Sequence, residues 1–171
     1  MSQIKLKNVR LSFPSLFHKA SFQGNETKYE ATFLLNKKTH AETIAEIQSA
    51  IAEKVKTDLK GAKLGSDKIC LKDGDEIDYD GYAGHFSIKG ANGKRPLVIG
   101  KDKSPVTEDD NVFYAGCYVN AIIELWAQDN GFGKRINCNL LAVQFSGDGE
   151  PFGDGGTSVG VDDFDIVDDD F

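Results

Sequence analysis

Residues 116–128 read GCYVNAIIELWAQ, and this stretch decides the fold. Cys117, Val119, Ala121, Ile123, Leu125 and Ala127 are all apolar and strictly alternate, the period of a β-strand with one face on a core. Tyr118, Asn120, Ile122, Glu124, Trp126 and Gln128 then point the other way. The two large rings on that outer face either sit under a loop or offer a flat surface to a planar ligand. Asp129-Asn130-Gly131 follows as a hairpin signal, and residues 134–145 return as a second long strand.

Upstream, residues 3–13 (QIKLKNVRLSF) alternate as well. Ile4 and Leu6 share a face, then Val9, Leu11 and Phe13, and the slip at Lys7–Asn8 predicts a bulge. Residues 28–36 put Tyr29, Ala31, Phe33 and Leu35 on one face of another strand, with Pro14 and Gly24-Asn25 marking the loop before it. Thr39-His40-Ala41-Glu42 has the pattern of a capping box. Ile44, Ile47, Ile51, Val55 and Leu59 then recur at helical spacing up to Gly61, so a helix is expected over about 40–60, lying on the sheet or closing one end of a barrel. Residues 69–71, 84–89 and 96–99 are further strand candidates, and Asn92-Gly93 reads as a hairpin turn.

No βα unit repeats, which excludes a doubly wound sheet. The expected class is mainly β with one long helix: an OB-fold-like five-stranded antiparallel barrel over residues 1–147, with a disordered acidic C-terminal tail over 148–171.

The 171 residues carry 20 Lys+Arg against 27 Asp+Glu, a formal charge of -7. That average hides a split. Nine of the acids lie in 148–171, which has no Lys or Arg, so residues 1–147 hold 20 basic and 18 acidic residues. A mildly basic body joined to an acidic tail is a different object from a uniformly acidic protein. No apolar run approaches the ~18 residues of a membrane span, and MSQIKLKNVR has no signal-like apolar region. Cys70, Cys117 and Cys138 form an odd set without a CxxC, which suits a reduced compartment and packing roles. Composition thus speaks against a membrane protein, a disulfide scaffold and a zinc ribbon.

Catalytic and metal chemistry find no positive support. Residues 73–81 (DGDEIDYDG) are dense in carboxylates. Placing Glu76, Asp78, Asp80 and Gly81 at loop positions 1, 3, 5 and 6 of an EF-hand puts Ser87 at position 12, where a bidentate Glu is required. A solvated acidic turn is the better reading, with a two-metal nuclease as the remote alternative. Gly93-Lys94-Arg95 and Gly133-Lys134-Arg135 lack the flanking residues of a phosphate-binding loop. His18, His40 and His85 stand in no metal-spacing motif. Neither a cofactor nor a metal is expected, and the chain reads as a non-enzyme.

Binding of single-stranded nucleic acid needs cations along the phosphates and rings for the bases, each stacked base contributing ~1–3 kcal/mol without sequence readout. The chain carries those parts in clusters. Lys5, Lys7 and Arg10 lie on the first strand, followed by Phe13 and Phe17. Tyr79, Tyr82 and Phe86 lead to Lys89, Lys94 and Arg95. Tyr118 and Trp126 precede Phe132, Lys134 and Arg135 around the second turn. Any one of these rings can equally pack in the core; Phe132, between two glycines at a hairpin tip, has little core to enter.

The tail reads GDGEPFGDGGTSVGVDDFDIVDDDF from Gly147. Its Gly-rich start cannot offset the entropy of folding. Its end sets Phe164, Ile166, Val167 and Phe171 among aspartates. It either solubilises the protein or docks partners through Phe164, Asp168, Asp169, Asp170 and Phe171, the reading that the interleaved apolar groups favour.

Several segments in order resemble the phage single-stranded-DNA-binding proteins of the DUF2815 family: VRLSFPSLF at 9–17, KYEATFLL at 28–35, LKDGDE at 71–76, GYAGHF at 81–86, FYAGCYVNAIIELWA at 113–127 and LLAVQFSGDGEPFG at 140–153, together with the acidic end. The resemblance implies an OB-fold, sequence-tolerant binding of single-stranded DNA, and a role in phage DNA replication or recombination in the cytoplasm of the bacterial host. It also implies a tail that contacts replication or recombination proteins, such as a polymerase, helicase or nuclease, and competes with DNA for the groove. No membrane partner is expected, and a homo-oligomer is compatible with the sequence. The helix follows the second strand, which departs from the usual OB order. Two other classes stay open: a non-enzymatic adaptor working through the tail, and a nuclease using the 73–80 acids.

Overall fold

The computed structural model describes residues 2–79, 81–131 and 133–152. In chain order these form β1 (Ser2–Ser15), β2 (Ser21–Phe22), β3 (Asn25–Glu26), β4 (Tyr29–Asn36), α1 (Ala41–Asp58), β5 (Leu71–Asp73), β6 (His85–Asn92), β7 (Leu97–Ile99), β8 (Tyr118–Asn130) and β9 (Gly133–Gly147). The main sheet runs β5-β6-β4-β1-β8-β9-β7, and a further pairing joins β6 to β9, the strands next to its two edges. The five long strands β6, β4, β1, β8 and β9 therefore make a ring, with α1 as the single helix. Four joints are antiparallel. The fifth is a parallel contact at one residue pair, Ala91 with Asn139.

The alternation of β8 is realised as expected. Cys117, Val119, Ala121, Ile123 and Leu125 are buried, and Trp126 and Tyr118 are half-buried on the opposite face. Across the hairpin, Ile136, Cys138, Leu140 and Val143 bury the inward face of β9. The β1 bulge is also present: Leu6 pairs with Ala121 but Val9 with Val119, and the extra residue Asn8 adopts φ 52°. α1 drives Ile44, Ile47 and Ile51 into the same core, with Leu59 just after it. Gly61, at φ 72°, closes its C-terminus by donating to the Val55 carbonyl at 2.9 Å.

Three local expectations are corrected. The capping box at 39–42 does not form; His40 is the N-cap and makes no side-chain cap bond. Its ring instead lies 3.0 Å from both the Asn36 N–H and the Lys7 carbonyl, tying the helix start to the β1 bulge. Asn92-Gly93 does not join paired strands. The Asn92 side chain accepts the Lys94 N–H, so a tight turn forms. Pro96 then denies the chain a ladder donor, and the chain crosses to lie parallel on β9, Leu97 beside Ala142. The acidic segment from Asp148 does not leave the body at once, because residues 148–152 are held against it, as detailed below. No helix among the described residues is long and apolar enough to cross a membrane.

Where β6 and β9 splay apart, residues 69–73 fill the gap. Ile69 bridges Ile136 on β9, and Leu71 pairs with Ile88 on β6. The seam between the two strands is thus a wedge of chain, and it supplies much of the floor of the site.

Candidate nucleic-acid interface

An open groove of about 680 Å³ runs over this seam. Its walls carry four rings, Phe13, Tyr79, Tyr82 and Trp126, and five cations, Lys28, Lys68, Lys72, Lys89 and Arg135, against two carboxylates, Glu30 and Asp67. The parts arrive by simple parity. Outward positions of β4 and β6 pair Thr32 with Lys89, and Lys72 on β5 pairs with Ser87. Trp126 on β8 pairs with Asn137 on β9, and Asn137 donates to Gln128 at 2.8 Å.

Phe13, on β1, is 49% exposed. It sits at φ 47° in a second bulge of β1, between Ser12 and Ser15. A non-glycine residue held there is strained, and such strain gathers at functional positions. Its ring meets Tyr79 edge-on at 5.2 Å, and Tyr79 meets Tyr82 at 5.4 Å. Tyr82 is buried; its hydroxyl lies 2.8 Å from Ser12 Oγ, and burial raises its pKa. Tyr82 therefore supports, while Phe13 and Tyr79 present faces to solvent.

The loop carrying Tyr79 is clamped at its far end. Lys37 Nζ lies 2.7 Å from Asp73 and 2.6 Å from Asp75, and Asp75 accepts the Gly84 N–H at 2.8 Å. Hydrogen bonds from Lys37 hold both carboxyls below their usual range, and the same bonds raise Lys37. Two acids of the 73–80 run are thereby spent on a lysine from β4's end, a partner that sequence proximity did not show. In the groove floor, burial pushes the Cys70 thiol up to about 12. It stays protonated and neutral there.

The groove brings together Phe13, Tyr82, Lys89, Trp126 and Arg135 from the sequence candidates. Lys89 faces Glu30 at 3.3 Å, and Arg135 donates to the Asp67 carbonyl at 2.9 Å. Others lie elsewhere. Phe86 is on the inward face of β6, packed against the core under Lys37 at 5.2 Å. Phe17 packs on the core and on Phe113, with Arg95 stacked over it at 5.5 Å. Tyr118 and Arg10 line a separate depression of about 240 Å³ with His40 and His85. Lys5 and Lys7 are exposed on β1, Lys94 follows the 92–93 turn, and Lys134 is exposed opposite Asp129 at the hairpin end. Phe132 and the tail candidates Phe164, Asp168, Asp169, Asp170 and Phe171 lie outside the described residues. Sequence reasoning missed Lys28, Lys68 and Lys72. Lys28 shares parity with Glu30 and Thr32 and could have been found; Lys68 and Lys72 reach the groove only through the seam.

Rings and cations along one open face of a small β-ring are the equipment of proteins that hold unpaired polynucleotide. The chain belongs to the family described as Enterobacter phage Enc34, ssDNA-binding protein, whose profile matches residues 2–171. Protein p50 of Acyrthosiphon pisum secondary endosymbiont phage 1 is 39% identical over 95% of this chain and 92% of its own length. The solved single-stranded DNA-binding protein of bacteriophage Enc34 in complex with ssDNA superposes with a TM-score of 0.79 at 34% identity, covering 88% of this chain and 89% of that one. The fold extends to gp2.5 of bacteriophage T7, at a TM-score of 0.52 and 11% identity over 93% and 99% of the two chains. The family expected from the sequence is confirmed, and its members are binding proteins, not enzymes.

Proposed function

We propose that this chain binds single-stranded DNA along the seam groove with little base preference. Bases stack on Phe13, Tyr79 and Trp126, and phosphates meet Lys28, Lys72, Lys89 and Arg135. The observation that carries this reading is the juxtaposition of exposed rings and cations over one groove, in a family with a relative solved on ssDNA. Trp126 is the chain's single tryptophan and lines that groove. Its emission should therefore be quenched in step with binding of a mixed-sequence oligonucleotide. Binding that leaves the emission untouched would place DNA elsewhere.

The biological setting is phage DNA replication or recombination in the host cytoplasm. The acidic end docks the protein partners, with Phe164 and Phe171 as apolar anchors among Asp168, Asp169 and Asp170. The same end competes with DNA. As a free chain, the 19 residues after Phe152 have an r.m.s. span of roughly 22–26 Å, enough to reach the groove at an effective concentration of order mM. Removing residues 153–171 should tighten DNA binding; unchanged or weaker binding refutes the competition.

A further inference from the structure

The first five residues of the acidic segment are built into the body. The Tyr114 hydroxyl lies 2.9 Å from Asp148 Oδ1 and accepts the Gly149 N–H at 3.0 Å. Arg10 donates through Nη2 to the Glu150 carbonyl and through Nε to the Gly116 carbonyl at 3.1 Å. Its guanidinium then lies 4.1 Å from the centre of the Phe152 ring. Phe152 donates its N–H to the Ala115 carbonyl at 3.1 Å. Three glycines clear the path: a Cβ on Gly81 would overlap the Phe152 ring, one on Gly116 the Glu150 carbonyl, and one on Gly149 the Gly116 carbonyl. Gly81 also stands at φ 82°, where a side chain is strained in any case.

Gly81 belongs to the loop that carries Tyr79 and Tyr82 to the groove. The Phe152 ring thus backs that loop from behind, as the Lys37 clamp fixes its end. We propose that residues 148–152 are a structural part of the DNA groove, and that Arg10 and Phe152 are positioning residues that hold Tyr79 in place for a base. Arg10 commits two of its five N–H donors to the Glu150 and Gly116 carbonyls and one face of its guanidinium to Phe152. This departs from Arg10 as a phosphate contact, and from the acidic segment as a pure competitor. The inference rests on the groove being the DNA site.

The three accounts differ in sign and in salt dependence. In the full chain, Phe152→Ala, Arg10→Ala and Gly81→Ala should each weaken ssDNA affinity about three- to tenfold, part of what one stacked base contributes. The slope of log affinity against log salt should stay as in the wild type. Phe152→Tyr, which keeps the ring, should bind within about twofold of wild type. Combined with Tyr79→Ala, the Phe152→Ala loss should vanish, because the ring it positions is gone. Tighter binding by Phe152→Ala would make the strap only an anchor for a competitor. A slope shallower by about 0.7 in Arg10→Ala would make Arg10 a phosphate contact. A Phe152→Ala loss undiminished by Tyr79→Ala, or no loss at all, would also overturn the proposal. If Tyr79→Ala alone binds normally, the groove reading falls and this inference with it. If Tyr79→Ala weakens binding and Phe152→Ala does not, only this inference falls.

Discussion

Raising monovalent salt from about 50 to 200 mM should weaken ssDNA binding by about 16- to 130-fold. Each phosphate neutralised on a single strand contributes a slope of about -0.7. The groove holds five cations, of which Lys89 faces Glu30 and Lys68 lies 3.7 Å from Asp67. If those two remain with their carboxylates, three cations give a slope of about -2; if all five turn to phosphate, about -3.5. Across a fourfold rise in salt these slopes produce the stated range. Titrating Trp126 emission with a mixed-sequence oligonucleotide at several salt concentrations measures it. Lys72→Ala should make the slope shallower by about 0.7. Phe13→Ala should weaken binding by ~1–3 kcal/mol at every salt concentration with the slope unchanged. A flat response, or a Phe13→Ala variant that alters the slope, would refute the division of labour between cations and rings.

Lys37→Met tests the loop clamp through pH. Asp73 and Asp75 titrate below their usual range in the native protein, so their contribution is complete above the ordinary carboxylate range. It is lost as pH falls through the lowered values, so the wild type should lose more stability between pH 7 and acid than Lys37→Met, read from urea midpoints. The Cys70 thiol, at about 12, should be about one part in ten thousand thiolate at pH 8 and resist alkylation until the protein is unfolded; labelling of the native protein at a free-thiol rate contradicts its burial. Ile47→Ala leaves a hole beneath α1 at a fully buried position and should cost about 2–5 kcal/mol in chemical denaturation, whereas a loss under about 1 kcal/mol would mean the helix can be displaced.

The long strands were legible because each alternation runs for many residues and one face is wholly apolar. β8 alone assigned Cys117 through Leu125 inward and Trp126 outward, and the Asn8 bulge showed as a phase slip. Parity also held the answer for Phe86, which shares a face with the fully buried Ile88 and so enters the core. The seam was not legible. Nothing local says that 69–73 leaves the β6 edge to touch Ile136, and this contact is what delivers Lys68 and Lys72. Asn92-Gly93 misled because a turn signal does not guarantee a reversal: β6 and β7 both run parallel to β9, so the chain bends there and continues in the same sense. Arg10 has the sequence environment of a phosphate ligand, and only the return of the chain after β9 shows it employed by Glu150 and Phe152.

The ring is fastened by one pair, Ala91 with Asn139, and by the Ile69 bridge to Ile136. Both contacts join residues remote in the chain, whereas β8 and β9 meet through a tight turn. Loop-closure entropy therefore delays the fastening relative to the hairpin during maturation of the polypeptide. Because the cleft lies on top of that fastening, its walls come together only in a chain that has brought Ala91 to Asn139 and Ile69 to Ile136.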